Sequence, residues 1–389
     1  MTNQRIYLDH SASTPVDERV VEAMLPYFRE TYGNPTSVHR YGQEAEAALE
    51  RARQTVADIL NCQPREVIFT SCGSESDNLA IRGAALAARQ AGKDVHLITQ
   101  PLEHSAVTNT VKQLTEVFGF ASTFLPVDND GQVSPETLRS HIDGKTAVIS
   151  LMTANNEIGT ILPIADLAGV AHEMGAVFHT DAVQAAGQVD LDVQKSGVDL
   201  LSISAHKFYG PKGVGALYVR EGTIMLPIQT GGSHENGLRS GTQNVPLIVG
   251  LAKALEIATS EREQHVAHYT GLRDLLIEAI LTRMPNARLT GSRTERLPSH
   301  ASFAFKDIDA NTLLMQLDMK GIAASSGSAC KTGNPTPSEV LLAIGLDDSW
   351  ALGGLRLSVG RQTTDQDIAK VMEVLPDAVA AARQLWIGT

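Results

Sequence analysis

The sequence predicts an α/β fold, a mainly parallel seven-stranded sheet domain followed by a smaller α+β domain. Three observations predict it. Between Val67 and Val219 seven short apolar, β-rich runs recur, most of them separated by stretches of helical periodicity. Several runs, such as Ala147–Met152, are apolar at nearly every position rather than alternating, as strands covered on both faces are. After about residue 258 this βα alternation gives way to a looser mixture of strands and helices, which reads as a separate α+β module.

Taken in order, Ile6-Tyr7-Leu8 is a short strand, and Asp17–Arg29 has helical spacing interrupted at Pro26. Gly33-Asn34-Pro35 marks a loop, and Gln43–Leu60 is an amphipathic helix with Ala45, Ala48, Leu49, Ala52, Val56 and Ile59 on one side. The strand candidates are Val67–Thr70, Val95–Thr99, Ala121–Pro126, Ala147–Met152, Ala176–Thr180, Leu200–Ser204 and Val214–Val219. Helices are expected at 78–90, 106–117, 135–140 and 164–174, the first and last closed by Gly92 and Gly175. The last strand pair, joined by the short turn at 205–213, reads as an antiparallel addition at the sheet edge. A glycine-rich loop covers 231–241, and 246–260 and 265–284 are long helices. Strands near 301–305, 322–325 and 355–359 alternate with helices near 311–320, 337–344 and 364–386. The expected large domain is 15–257. The small one combines 1–14 with 258–389 and carries a small-residue loop at about 325–336.

Composition narrows the function. The chain of 389 residues is 43% hydrophobic and 20% charged, with a net charge of −12. Phosphate neutralisation needs clustered Lys and Arg, so nucleic acid is not expected as a direct partner. The first ten residues lack a charged-then-apolar signal pattern and no run of 18 apolar residues occurs, so a cytoplasmic protein with no membrane partner is expected. Cys62, Cys72 and Cys330 are odd in number and form no C-x-x-C, so free thiols are expected rather than disulfides or a metal site.

Several short motifs sit at strand ends. Lys207, in S-A-H-K-F-Y-G-P-K-G, stands at the mouth of an apolar strand. A lysine there suits a Schiff base to pyridoxal phosphate, and equally a plain surface turn. Ser71–Asp77 follows a strand and opens a helix, with Ser74 and Asp77 in an S-x-x-D helix-start pattern. It is a capped helix or a phosphate cup, without the G-x-x-x-x-G-K of a P-loop. Asp181 ends a strand, where a carboxylate could hold a pyridinium nitrogen protonated or merely cap a helix; Gln184 follows three residues on. His104 could stack on a cofactor ring or serve as a structural hydrogen-bonder. Asn156, in N-N-E-I-G, could bond the ring oxygen and a substrate carboxylate or form a turn. Arg356, alone in an apolar strand, suits a carboxylate. Cys330, in S-S-G-S-A-C and beside Lys331, is a candidate reactive thiol or an incidental loop cysteine. Jointly these residues place a phosphate cup, a ring-holding acid, a Schiff-base lysine and a carboxylate clamp at the ends of successive strands.

With these motifs, and with G-N-P-T-S-V-H-R at 33–40 and R-S-G-T at 239–242, the chain resembles the NifS/IscS-type cysteine desulfurases over nearly its whole length. These are class V aminotransferase-like, fold-type I enzymes dependent on pyridoxal 5'-phosphate. The resemblance implies that Lys207 carries the cofactor, Asp181 pairs with its ring nitrogen, and Gln184 and Asn156 contact its ring oxygen. It implies that His104 stacks on the ring and handles protons, and that Gly73, Ser74, Ser204 and His206 bind the phosphate. Thr242 of the partner subunit would complete that phosphate site, which implies a homodimer. Arg356 would hold the carboxylate of L-cysteine with Asn156, and Cys330 would accept the sulfur as a persulfide. A sulfur-acceptor protein, an iron–sulfur scaffold or a sulfur carrier, is the implied partner. Cys72 stands where the family more often has glycine, and is expected to be structural. The alternatives left open are a selenocysteine lyase or a class V transaminase, and a non-enzymatic scaffold.

Overall fold

The structure, a computed structural model, describes residues 5–327 and 336–387. Its strands are β1 (Ile6–Tyr7), β2 (Val67–Thr70), β3 (His96–Thr99), β4 (Ala121–Phe124), β5 (Thr146–Ser150), β6 (Val177–Asp181), β7 (Leu200–Ser204), β8 (Gly215–Val219), β9 (Ala287–Leu289), β10 (His300–Phe305), β11 (Ile322–Ala323) and β12 (Gly354–Ser358). The seven runs from Val67 to Val219 all form strands of one sheet, in the order β2-β8-β7-β6-β5-β3-β4. From β7 to β4 every neighbouring pair is parallel.

In β2, β3, β5, β7 and β8 successive residues enter different cores, because side chains alternate across a sheet. Phe69, Ile98, Ile149, Leu201 and Tyr218 pack with the helices Arg40–Leu60 and Val245–Ser260. Ile68, Leu97, Val148, Leu200 and Leu217 pack on the other face with the helices Gly73–Gln90 and Ser105–Phe118. This explains why the runs read as continuously apolar.

One expectation is corrected. The β7–β8 hairpin is not an addition at the edge: β8 runs antiparallel between β7 and β2. All five of its residues are buried, so Gly-Ala-Leu-Tyr-Val gains more inside the sheet than at its rim. The edge strand at that end of the sheet is β2, and side chains cover its open side. Glu235 accepts from Phe69 N at 2.8 Å, and Arg53 donates to Val67 O at 2.6 Å. Arg53 and Glu235 also pair at 2.8 Å, so each buried charge has its counter-ion. Such covering protects an edge from pairing with another chain.

A second core gathers Leu8, Leu276, Phe303, Leu317, Leu357 and Leu375. It lies among β9-β10-β12, an antiparallel sheet, and the helices Arg262–Arg283, Ala310–Asp318 and Asp365–Ile387. The N-terminal β1 joins this part of the molecule by pairing with β11 in parallel. Strand β9, only three residues long, carries too short a pattern to be read from sequence. Among the described residues no helix is long and apolar enough to cross a membrane.

Candidate active site

Parallel strands bring their C-terminal ends to one edge of a sheet, and ligands bind in the crevice outside them. A cavity of about 790 Å³ lies there. Gly73 and Ser74, at the head of the helix after β2, form one wall, and His104 after β3 and Asn156 after β5 form another. Asp181 ends β6, Gln184 follows it, Ser204 ends β7, and His206 and Lys207 lie in the single 3-10 turn beyond. Arg356, in the middle of β12, faces them from the second core. Ten of the expected site residues thus line one cavity. Thr242 does not: it is exposed and away from the cavity of its own chain. Cys330 lies outside the described residues, but Ser325, Gly327, Thr336 and Pro337, on either side of that stretch, all line the cavity.

Lys207 is deeply set. Its Nζ donates to Ser11 O at 2.6 Å and Ala12 O at 2.9 Å. Burial, and then the nearby Arg356 charge, pull its pKa down to about 8. The turn is held tightly just beyond it. Tyr209 has φ +66°, a region disfavoured for a bulky residue. It is fixed there by Thr14 Oγ1, which accepts from its N–H at 2.8 Å, and by Arg361 N, which donates to its hydroxyl at 2.8 Å. His206 is pulled down to about 4 by burial and by Lys207 and Lys212, so it is neutral at pH 7.

Asp181 is buried and accepts from Val183 N at 2.9 Å. Burial raises its pKa, while His104 and Lys207 oppose that rise. Two further carboxyls, which sequence reasoning gave no role in the site, lie beside it. Asp77 is pushed well up by burial and then by Asp181, and its Oδ1 has no hydrogen-bond partner among the described residues. His179 Nε2 is 3.6 Å from it, but burial lowers His179 to about 3, so the contact is not an ion pair near neutral pH. Glu103 is pushed up to about 8 by burial, and its Oε2 is also unpartnered. Asp77 does not serve the helix-start pattern expected of it. The helix begins at Gly73, behind a Cys72 cap whose side chain bonds none of the helix N–H groups. Cys72 itself lines the cavity, half-buried.

His104 realises its plainer reading as well: Nδ1 accepts from Ala106 N at 3.1 Å and caps the helix Ser105–Phe118. In the neutral ring the proton therefore sits on Nε2. Of the two asparagines after β5, Asn155 is the structural one. It donates to Leu102 O and accepts from Glu157 N and Ile158 N. Asn156 faces the cavity. Gln184 Nε2 donates to Ser11 O at 2.9 Å. Ser11 and Ala12 thus hold two site residues, Lys207 and Gln184, and nothing in their local pattern announced it.

Arg356 donates from Nη1 to Asn156 O and from Nη2 to Asp9 Oδ1, each at 2.7 Å. Glu157, whose pKa burial raises, accepts from Ser338 Oγ at 2.8 Å.

The donor set suits an aromatic phosphate ester bearing an aldehyde and a ring nitrogen. A buried amine can condense with the aldehyde, and a buried carboxylate can face the nitrogen. A helix N-terminus without a side-chain cap can take the phosphate. At Gly73 a Cβ would come within 2.7 Å of Val183 Cγ2, so the backbone there is left bare by necessity.

The profile described as aminotransferase class-V matches residues 6–371. The chain belongs to that family. It stands among the family's cysteine desulfurases of the NifS/IscS type. A cysteine desulfurase IscS from Methanosarcina thermophila is 48% identical over 383 residues, covering 98% of this chain and 94% of its own. One from Dictyoglomus turgidum is 44% identical over 382 residues, covering 98% and 96%. A solved NifS-like protein matches this class-V chain with a TM-score of 0.90 at 38% identity, over 97% of this chain and 100% of that one.

Proposed function

We propose that the protein is a pyridoxal 5'-phosphate-dependent cysteine desulfurase, which converts L-cysteine to L-alanine and moves the sulfur to its own Cys330 as a persulfide. The observation that carries this reading is the convergence on one cavity of Lys207, Asp181, Arg356 and the two flanks of the Cys330 stretch. A solved relative, SspA in complex with cysteine, is 36% identical with a TM-score of 0.80, over 93% of this chain and 100% of that one, which supports the choice of substrate.

Lys207 would hold the cofactor, Asp181 its ring nitrogen, Gln184 and Asn156 its ring oxygen, and Gly73, Ser74, Ser204 and His206 its phosphate. When bound, the cofactor supplies an electron sink that makes the substrate Cα proton removable. Arg356 binds the substrate carboxylate, with Asn156 beside it. Lys207 Nζ takes the Cα proton; burial lowers its pKa to about 8, closer to the working range of a general base than an ordinary lysine. His104 Nε2 is placed to carry a proton to or from the substrate. The thiolate of Cys330 attacks the substrate sulfur and the carbon–sulfur bond breaks with its electrons left on Cβ; the proton given up by the Cys330 thiol goes to Cβ, and Lys207 returns its proton to Cα. Cysteine and one enzyme thiol thus become alanine and one persulfide.

Two chains associate, and Thr242 of the partner subunit completes the phosphate site; its exposure beyond its own cavity supports that assignment. The persulfide then passes to an acceptor protein in the cytoplasm, for iron–sulfur cluster assembly or another thiolation.

Mass spectrometry of Cys330 after turnover with L-cysteine tests the reading. One added sulfur atom on Cys330 is expected, and Cys330→Ala is expected to abolish alanine formation. Undiminished alanine from that variant overturns the desulfurase assignment in favour of lyase or transaminase chemistry.

A further inference from the structure

Arg356 is the most buried cation facing the cavity, its side chain 5% exposed. A guanidinium taken out of water needs a counter-charge and filled hydrogen bonds. Asp9 supplies the charge, with Oδ1 2.7 Å from Nη2. Backbone geometry brings them together. Asp9 follows β1 and forms a bridge with Ser358, two residues beyond Arg356 on β12. The other face of the guanidinium is fixed by Asn156 O, which accepts from Nη1 at 2.7 Å. Among the described residues two of the five N–H donors are thereby used, and the buried Nε has no partner. The fork is held from two sides with donors to spare.

We infer that Asp9 is a positioning residue for substrate recognition: it holds the Arg356 guanidinium in the orientation from which its remaining donors take the α-carboxylate of an amino acid. This rests on the reading of Arg356 as the carboxylate site. It assigns a role to a residue 347 positions away from Arg356 in the chain. Asp9 then governs how well a carboxylate-bearing ligand binds, not how fast a bound one reacts. The same carboxylate lies near Lys207 and partly offsets the repulsion between Lys207 and Arg356. Without it, two cations face each other across the substrate space.

The test uses holoenzyme and two ligands that differ in one group. L-Alanine has an amine and a carboxylate; ethylamine has the amine and the methyl group alone. Each is titrated while the cofactor's absorbance is followed. Asp9→Asn keeps the shape and removes the charge. It is expected to weaken L-alanine about tenfold, in line with a lost charge-assisted hydrogen bond, and to leave ethylamine within about twofold. The KM for L-cysteine is expected to rise with the L-alanine effect while kcat holds. If both ligands weaken equally, Asp9 is only structural and the inference fails. If L-alanine binds more tightly, Asp9 competes with substrate for Arg356, and the inference also fails. Should Asp9→Asn not load cofactor, Asp9→Ser is read by the same ratio. Arg356→Gln tests the underlying reading separately: if it leaves the L-alanine affinity unchanged, Arg356 is not the carboxylate site, whatever Asp9 does.

Discussion

On the sheet side of the cavity, Asp181 and Ser204 end their strands and Lys207 lies three residues beyond one. Backbone groups do much of the holding there: Val183 N on Asp181, Ser11 O and Ala12 O on Lys207. On the facing side Arg356 stands in mid-strand and is held by a side chain from the far end of the chain, Asp9. The flanks of the Cys330 stretch belong to this second side as well. The contrast assigns different work to the two walls. The sheet wall offers groups with shifted proton affinity, fixed by strand ends, and is suited to chemistry. The β12 wall offers a paired guanidinium and is suited to recognition.

Substitutions can break that contrast. The largest effect is expected at Lys207. Lys207→Ala should lower alanine formation from cysteine about a thousandfold, the usual worth of a positioned base, with the loss in kcat. A loss confined to KM would place Lys207 with the recognition wall instead. Next comes Arg356→Lys, which keeps the charge but loses the planar fork. The expected cost of about 1.5–3 kcal/mol in substrate binding should be seen in steady-state kinetics as a raised KM with kcat held.

Gly73→Ala sharpens the picture of the sheet wall. Its new Cβ would meet Val183 Cγ2 at 2.7 Å. Chemical denaturation should show a loss of about 1–3 kcal/mol for the overpacked contact, and cofactor titration a weaker phosphate site. Unchanged values in both would mean that Val183 yields freely and that the cradle is not tight. A last effect concerns pH and is read in stability alone. Glu103 keeps its proton up to about pH 8 when folded, against an ordinary value of 4.5. Between those values unfolding releases a proton, so this group's contribution is full below about 4.5 and declines as pH rises, by at most about 1.4 kcal/mol per unit. Urea midpoints for the wild type and Glu103→Gln should therefore converge at about pH 5 and part at about pH 8, the variant keeping more of its stability. Parallel curves would show that Glu103 is not held neutral.

Much of the sheet was legible because burial on both faces forces apolar residues at successive positions, and Ala147–Met152 shows that pattern plainly. The place of β8 was not legible. Gly215–Val219 is as apolar as an edge strand shielded by other parts of the fold, and strand order depends on which neighbour each side finds. The helix at Gly73 begins five residues earlier than its periodicity suggests, because its first turn is shaped by the cavity rather than by an apolar face. Lys207, Asp181 and His104 could be picked out because a polar residue at the end of an apolar run is locally conspicuous. Glu103 and Asp77 could not. Each sits beside a residue with a more visible reading, and burial is what makes them unusual.

By itself, then, the sequence determined the α/β class, the strands of the sheet and most of the polar residues that line the cavity, since these follow from periodicity and from motifs a few residues long. Only the tertiary structure decided that Asp9 meets Arg356, that Ser11 and Ala12 hold Lys207, and that three carboxyls share one buried floor. The first of these joins segments 347 residues apart, where Asp9, just beyond β1, bridges to Ser358 of β12. Proximity of that kind is set by how the two cores close on each other, and no local pattern in the chain encodes it.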